Sequence, residues 1–156
     1  MSESMDVDAL QRWIRLFAQS VKQHRDQLTQ LDSAIGDADH GTNMDRGMTA
    51  AVVALDGTEP ATAAALFKQV GMTLVSTVGG ASGPLYGTLF LRMASAAGDA
   101  EALDPGAFAK VLRAGLDGVV ARGKAEAGDK TMYDALSPAV AALDVEVAKG
   151  SALSAA

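Results

Sequence analysis

The segment between Asp32 and Arg46 concentrates residue types that bind metal ions. It places Asp32, Asp37 and Asp39 among glycines, which let the backbone turn sharply enough for the carboxylates to point inward together. Carboxylates this close repel one another unless a cation lies among them. Hard oxygen ligands suit Mg²⁺, whose remaining positions are usually filled by water and substrate phosphate. The spacing therefore favours a magnesium–nucleotide site, and a plain polar turn remains the alternative.

A glycine-rich segment, Gly79–Pro84, is the second candidate. Pro84 suits the first turn of a following helix, where backbone N–H groups and the helix dipole attract phosphate. Ser82 adds a hydroxyl donor. Because the segment lacks the lysine of a P-loop and follows no predicted strand, a tight helix–helix turn stays open as its other interpretation.

The third candidate is the polar stretch from Gly123 to Met132, which brings two lysines and is able to close over a nucleotide. Met132 lies at a loop–helix junction, where it is able to line an adenine pocket, whereas the other methionines are most simply core residues. Two residues after the aspartates join this set. His40 is a hydrogen-bond partner for phosphate or a base, and Asn43 is a phosphate ligand or a helix cap.

Helical periodicity predicts how these segments are positioned. Apolar residues recur every three or four positions along a first helix that is expected to end near Leu31. Its stripe consists of Leu10, Trp13, Ile14, Phe17, Val21, His24 and Leu28. Further helices are predicted at about 43–55, 61–76 and 84–98, with two more beginning at Asp104-Pro105 and near Thr131.

Strand signals are almost absent, so residues 1–156 are expected to form a single all-α domain, an antiparallel bundle of amphipathic helices. The stretch 144–156 is small and polar enough to fray. Alternate connections of such a bundle lie at the same end. The three candidate segments should therefore converge on one rim.

Composition narrows the class of protein. The chain has 156 residues, 49% of them hydrophobic and 4% aromatic, which favours close-packed helices. The net charge of −6 argues against bulk nucleic-acid binding. No run is apolar enough for a membrane span, and no signal peptide is visible. Without cysteine there is no thiol nucleophile. A cytoplasmic protein is expected.

Taken together, three long motifs carry a family resemblance. Asp32–Met44, Val78–Thr88 and Gly123–Asp134 occur in the order found in the nucleotide-binding L subunit of bacterial dihydroxyacetone kinase. The chain resembles in particular the form that depends on the phosphoenolpyruvate:sugar phosphotransferase system. The resemblance covers about residues 5–143.

The resemblance implies a helical barrel that binds ADP at one end, with two Mg²⁺ ions held by Asp32, Asp37 and Asp39. The positions that match nucleotide contacts are His40, Asn43, Gly80, Ala81, Ser82, Gly123 and Met132. In the family, ADP or ATP is a resident cofactor. A phosphohistidine on a carrier (M) subunit rephosphorylates ADP in place, and the phosphoryl group passes to dihydroxyacetone on the K subunit. No residue of this chain is expected to form a covalent intermediate, and neither nucleic acid nor a membrane is an expected partner.

One departure from the family pattern affects these expectations. Family members are normally about two helices longer and end in a glycine-rich arginine segment, which has no counterpart after Leu143. Without these two helices, the barrel is expected to expose apolar surface and to bind the nucleotide more weakly. Separate initiation at Met1 favours the subunit over a domain of an ATP-dependent dihydroxyacetone or fatty-acid kinase. A nucleotide-state-dependent partner of a transcription activator and a degenerate, non-catalytic bundle stay open as hypotheses.

Overall fold

Helices make up almost all of the fold in a computed structural model that describes residues 3–155. In chain order the elements are β1 Met5–Asp6, α1 Val7–Gln23, α2 Arg25–Ser33, α3 His40–Asp56, α4 Ala63–Thr77, α5 Ser82–Ala97, β2 Ala102–Leu103, α6 Pro105–Gly123, α7 Tyr133–Ala148 and a 3₁₀ turn Leu153–Ala155. β1 and β2 form a short antiparallel pair in which Met5 lies opposite Leu103. The prediction of an all-α fold is confirmed.

The prediction of one unbroken first helix is wrong, because the chain bends at His24. This residue has φ −103° and ψ 11°, which departs from helical geometry. Its ring Nδ1 lies 2.8 Å from the carbonyl oxygen of Ser20, an oxygen that also accepts the backbone N–H of His24 at 3.1 Å. Both α1 and α2 pack against α3. A Cβ on Gly41 would collide with the Arg25 carbonyl oxygen, so α2 lies directly against the start of α3.

Side chains cap three helices at the end of the bundle where α1, α4 and α6 begin. Asp104 accepts the backbone N–H of Ala107 at 2.7 Å, and Pro105 occupies the first helical position, as the sequence predicted. Asp6 and Thr62 cap α1 and α4 in the same way. α7 continues beyond Leu143 to Ala148, where the sequence offered no strong closing element.

The helices pack side by side in the order α1, α3, α4, α5, α6, α7. Fully buried side chains such as Ile14, Met48 and Phe67 form the core, and Trp13 packs edge-on against Phe108 with ring centroids 5.6 Å apart. A cavity of about 290 Å³ opens between α1 and α7. Its lining comprises Trp13, Phe17, Tyr86, Leu89, Phe90, Leu112, Met132, Ala135, Leu136 and Ala139. None of the described helices combines the length and the apolar character needed to cross a bilayer.

Candidate metal and nucleotide site

The α2–α3, α4–α5 and α6–α7 connections lie at the end of the bundle opposite the capped helix starts. Ser82 Oγ, in the first turn of α5, lies 3.0 Å from Nδ1 of His40 in the first turn of α3. A Cβ on Gly123, at the end of α6, would lie 3.0 Å from Leu85 Cδ2 on α5. The topology thus brings together the three segments that the sequence singled out.

Asp32 caps α3 from outside the helix. Its Oδ2 accepts the backbone N–H groups of Asp39 at 3.0 Å and of His40 at 3.2 Å. The hydrogen bond from Asp39 lowers the pKa of the Asp32 carboxyl, with help from the one from His40, because both favour the charged form. Asp39 is the N-cap residue of α3, but its own side chain does not bond the first turn. That carboxylate is therefore left for another partner.

The three candidate ligands converge in the short connection before α3. One carboxylate oxygen from each of Asp32, Asp37 and Asp39 lies within 4.8 Å of the others. The pKa of Asp37 is raised, mainly by a hydrogen bond shared with the Asp39 carboxyl and then by the charge of Asp39. A Cβ on Gly36 would collide with Asp32 Oδ1, which accounts for a glycine at this position.

This donor set fits Mg²⁺. Mg²⁺ binds oxygens at about 2.0–2.1 Å, and three carboxylate oxygens within 4.8 Å of one another are close enough to be shared by such ions. All three donors are hard carboxylate oxygens. After the hydrogen bond with Asp39, the charges of Asp39 and Asp32 also raise the pKa of Asp37, and a cation would offset that charge.

The helices that begin at this end differ from those at the other end in how they are capped. Asp39, Ala81 and Met132 are the N-cap residues of α3, α5 and α7, and none of the three bonds the following turn through its side chain. Gly80 has φ +66°, a conformation that glycine adopts readily, and it turns the chain into α5. The first N–H groups of α5 therefore face the rim beside Ser82, an arrangement suited to an anion.

Asn43 is the buried polar residue of the site, with 7% of its surface exposed. It lies in the first turns of α3, and the glycine segment passes directly over it. A Cβ on Gly79 would lie 3.2 Å from Asn43 Nδ2. Its contacts extend to α4 through Arg46, a residue that the sequence did not mark as part of the site.

The connection between α6 and α7 is organised by Asp134, which sequence reasoning placed in a motif without a role. Its Oδ1 accepts the N–H of Gly128 at 2.7 Å, and its Oδ2 accepts that of Thr131 at 3.2 Å. These bonds, chiefly the one from Gly128, lower the pKa of Asp134. An acidic residue in the first turn of α7 was the available signal.

Met132 and Gly123 occupy different parts of the rim. Met132 lines the apolar cavity beside Tyr86, whereas Gly123 lies against α5. Lys124 and Lys130 are exposed and both have positive φ, at 55° and 59°. The third segment therefore offers an apolar wall on one side and two exposed cations on the other.

The chain matches a known protein family and several of its curated members. The DAK2 domain family matches residues 34–156. A Listeria innocua protein described as the ADP-binding subunit DhaL of PEP-dependent dihydroxyacetone kinase 1 is 49% identical over 141 residues, which are 90% of this chain and 71% of that protein. The corresponding Escherichia coli subunit is 44% identical over 131 residues, 84% of this chain and 62% of its own length.

A solved structure shows the same fold. The native form of the dihydroxyacetone kinase of C. freundii superimposes with a TM-score of 0.77 at 25% sequence identity, covering 94% of this chain and 27% of that one. The chain thus spans 62–71% of the length of the two bacterial subunits and about a quarter of the larger kinase. These matches confirm the resemblance indicated by the three motifs.

Proposed function

Because the chain belongs to the DAK2-domain family that includes the ADP-binding subunits of dihydroxyacetone kinases, we propose that it is the ADP- and Mg²⁺-binding subunit of a phosphoenolpyruvate-dependent dihydroxyacetone kinase. The observation that carries the proposal is the convergence of Asp32, Asp37 and Asp39 on the rim that also holds the uncapped start of α5. The proposed metal ligands and the N–H groups that would donate hydrogen bonds to phosphate lie side by side there.

Asp32, Asp37 and Asp39 are the proposed ligands of two Mg²⁺ ions. The ions supply charge neutralisation for the terminal phosphates, which is most of what phosphoryl transfer requires of a protein. Asp32 contributes one oxygen while its Oδ2 stays bonded to the α3 backbone. Asp39 lies close enough to raise the pKa of Asp37, and we propose that the ions relieve the repulsion between the two carboxylates.

We assign the nucleotide to the residues around these ions. The backbone of Gly80 and Ala81, with the Ser82 hydroxyl, faces the phosphates at the start of α5. His40 and Asn43 face them from α3, with the His40 ring fixed by its contact to Ser82. We place the adenine side toward Gly123 and Met132, where the lining becomes apolar.

Bound ADP accepts a phosphoryl group from a phosphohistidine carrier (M) subunit and delivers it to dihydroxyacetone on a K subunit. We propose that both partners dock at the rim, in the cytoplasm, where this chain holds the nucleotide without a covalent step of its own. Its residues orient the phosphates and neutralise their charge, so the partners supply both the donor and the acceptor of the transferred group.

The test is reconstitution from the phosphorylated carrier, the K subunit and dihydroxyacetone. We expect the purified chain to retain ADP in a one-to-one ratio and to support formation of dihydroxyacetone phosphate only when the carrier is present. Rapid product formation from free ATP without the carrier would instead support an ATP-dependent kinase. Failure to retain any nucleotide in the presence of Mg²⁺ would contradict the proposal.

A further inference from the structure

Arg46 connects the start of α3 to the end of α4. Its Nη2 donates to Asn43 Oδ1 at 2.8 Å, and its Nε donates to the carbonyl oxygen of Thr77, the last residue of α4, at 3.0 Å. One guanidinium therefore fixes a side chain of the candidate site and also the point where the chain leaves α4 for the glycine segment.

The contact sets the orientation of the Asn43 amide. A guanidinium carries only donors, so the atom of Asn43 that faces it must be the carbonyl oxygen. The amide NH₂ group then points away from Arg46. Gly79 packs against the whole amide group, since a Cβ there would be 3.2 Å from Nδ2 and 3.4 Å from Oδ1, so Nδ2 lies beside the glycine segment. Among the hydrogen bonds formed within residues 3–155, none uses Asn43 Nδ2 as the donor.

We propose that Arg46 is a positioning residue for the nucleotide. It holds Asn43 so that the two amide protons face the glycine segment, where the oxygens of a nucleoside diphosphate accept them. Two of its five N–H donors, on Nε and Nη2, are engaged by protein oxygens, and we assign its effect to Asn43 rather than to direct contact with phosphate. This inference rests on the proposed function, which supplies the nucleotide, while the orientation of Asn43 is a property of the free protein.

A purely structural role for Arg46 leads to different results. If Arg46 only joined α3 to α4, its removal would lower stability and would affect ADP affinity independently of Asn43. If it acts through Asn43, the effects of removing the two side chains on ADP affinity are not additive. The coupling between the two residues is therefore the decisive quantity.

The experiment is calorimetry of ADP binding in the presence of Mg²⁺ to the wild-type chain, Arg46→Met, Asn43→Ala and the double variant. We expect Arg46→Met to weaken binding by about tenfold, equivalent to about 1.4 kcal/mol. The double variant should bind no more weakly than Asn43→Ala alone. Arg46→Lys, which keeps one donor group, should recover part of the loss.

Two variants serve as controls. Asn43→Asp keeps an acceptor for Arg46 but removes the amide protons and adds a negative charge, so it should bind ADP at least as weakly as Asn43→Ala. Arg15→Met removes an arginine that pairs with Asp56 at 2.7 Å, at the far end of α3. Because α3 has 17 residues, about 25 Å separate its ends, and ADP affinity should not change.

A measurement without nucleotide separates this inference from the proposed function. In ¹⁵N spectra of the free protein, Arg46→Met should shift the Asn43 side-chain NH₂ signals and speed their exchange with solvent, whereas Arg15→Met should not. Three results would each overturn the role of Arg46: unchanged Asn43 signals in Arg46→Met, wild-type ADP affinity in that variant, or additive losses of affinity in the double variant. A wild-type chain that binds no ADP while the Asn43 signals respond as expected would contradict the proposed function only.

Discussion

Asp32 Oδ2 accepts the backbone N–H of Asp39 at 3.0 Å, so one acidic residue of the candidate metal site fixes the backbone that carries another. Asp32 therefore has two tasks, since it holds the start of α3 in addition to offering an oxygen to a cation. The pKa of the Asp37 carboxyl is instead raised, chiefly by its interaction with Asp39. The two aspartates should respond differently to substitution, although both are proposed ligands.

We predict that Asp37→Asn has opposite effects on stability and on binding. A carboxyl whose pKa is raised by folding opposes folding at pH values above its unfolded pKa of 3.8, because the folded state holds the proton more tightly. Removing the charge should leave the metal-free melting temperature at pH 7 equal to or above that of the wild type. Mg²⁺-dependent ADP binding should weaken by about a hundredfold or more.

Calorimetry and thermal melting measure both effects, with Asp26→Asn as the control. Asp26 is an acidic residue of α2 with 90% of its side chain exposed, so its loss should change neither quantity. Asp32→Asn should instead lower the melting temperature, because a neutral amide oxygen accepts the N–H groups of Asp39 and His40 more weakly than the charged Oδ2 does. Wild-type affinity in Asp37→Asn would remove Asp37 from the metal site.

Ala38, between the two last aspartates, has φ +61°, and a residue with a Cβ is strained there. We predict that Ala38→Gly stabilises the metal-free protein by about 0.5–1 kcal/mol, the relief of strain being partly offset by greater freedom in the unfolded chain. Ala34, with φ −74° and ψ −27°, is the matched control in the same connection. Ala34→Gly should destabilise by about 0.5–1 kcal/mol. Urea unfolding of both variants measures the difference, and equal shifts would contradict strain at Ala38.

The sequence predicted the helices from α3 onward because their apolar positions recur at helical spacing and because Asp104-Pro105 marks a start. It missed the break at His24 because the apolar stripe runs on through Val21 and Leu28. At the break the His24 imidazole bonds the Ser20 carbonyl oxygen, a local contact that no pattern of apolar residues records.

The candidate site was predictable by residue type but not by arrangement. Clustered aspartates and glycines indicated Mg²⁺ and phosphate. Asp32 and Asp37 differ in role because Asp32 accepts backbone N–H groups, and the positions of these groups follow only from the folded turn. Arg46 donates to Thr77, 31 positions away, so its part in orienting Asn43 depends on how α3 and α4 pack.

We predict that Asp134→Asn loosens the connection between α6 and α7. The asparagine keeps one acceptor but places an NH₂ group against the N–H of Gly128 or Thr131, so one bond is lost. Hydrogen exchange at these two amides should accelerate, and ADP affinity should fall because Met132 loses its fixed position. Asp129→Asn is the comparison variant, because Asp129 accepts a different hydrogen bond in the same segment, from the N–H of Glu126.

The same bonds predict a pH dependence of this connection. A carboxyl whose pKa is lowered by folding stabilises the fold above its unfolded pKa, here 3.8, and this contribution disappears as the pH falls through the folded value. After correction for the intrinsic pH dependence of amide exchange, protection at Gly128 should therefore hold at pH 6 and be lost in the wild type only as the pH falls well below 3.8. In Asp134→Asn, the protection of Gly128 should be low at both pH values. Full protection of Gly128 in that variant would show that the segment is held by other contacts.

The last prediction concerns the metal and the nucleotide together. A ligand that binds only the folded chain stabilises it by about 2.7 kcal/mol at a hundredfold excess over its dissociation constant. At about 2–4 °C per kcal/mol for a chain of this size, Mg²⁺ with ADP should raise the melting temperature by about 5–10 °C. EDTA should abolish the increase, and ADP without Mg²⁺ should produce little of it, because the aspartates repel the phosphates when no cation lies between them. Asp37→Asn should show at most a small increase with Mg²⁺ and ADP, which ties the effect to this site. A wild-type melting temperature indifferent to both Mg²⁺–ADP and EDTA would mean that the segment before α3 is only a turn.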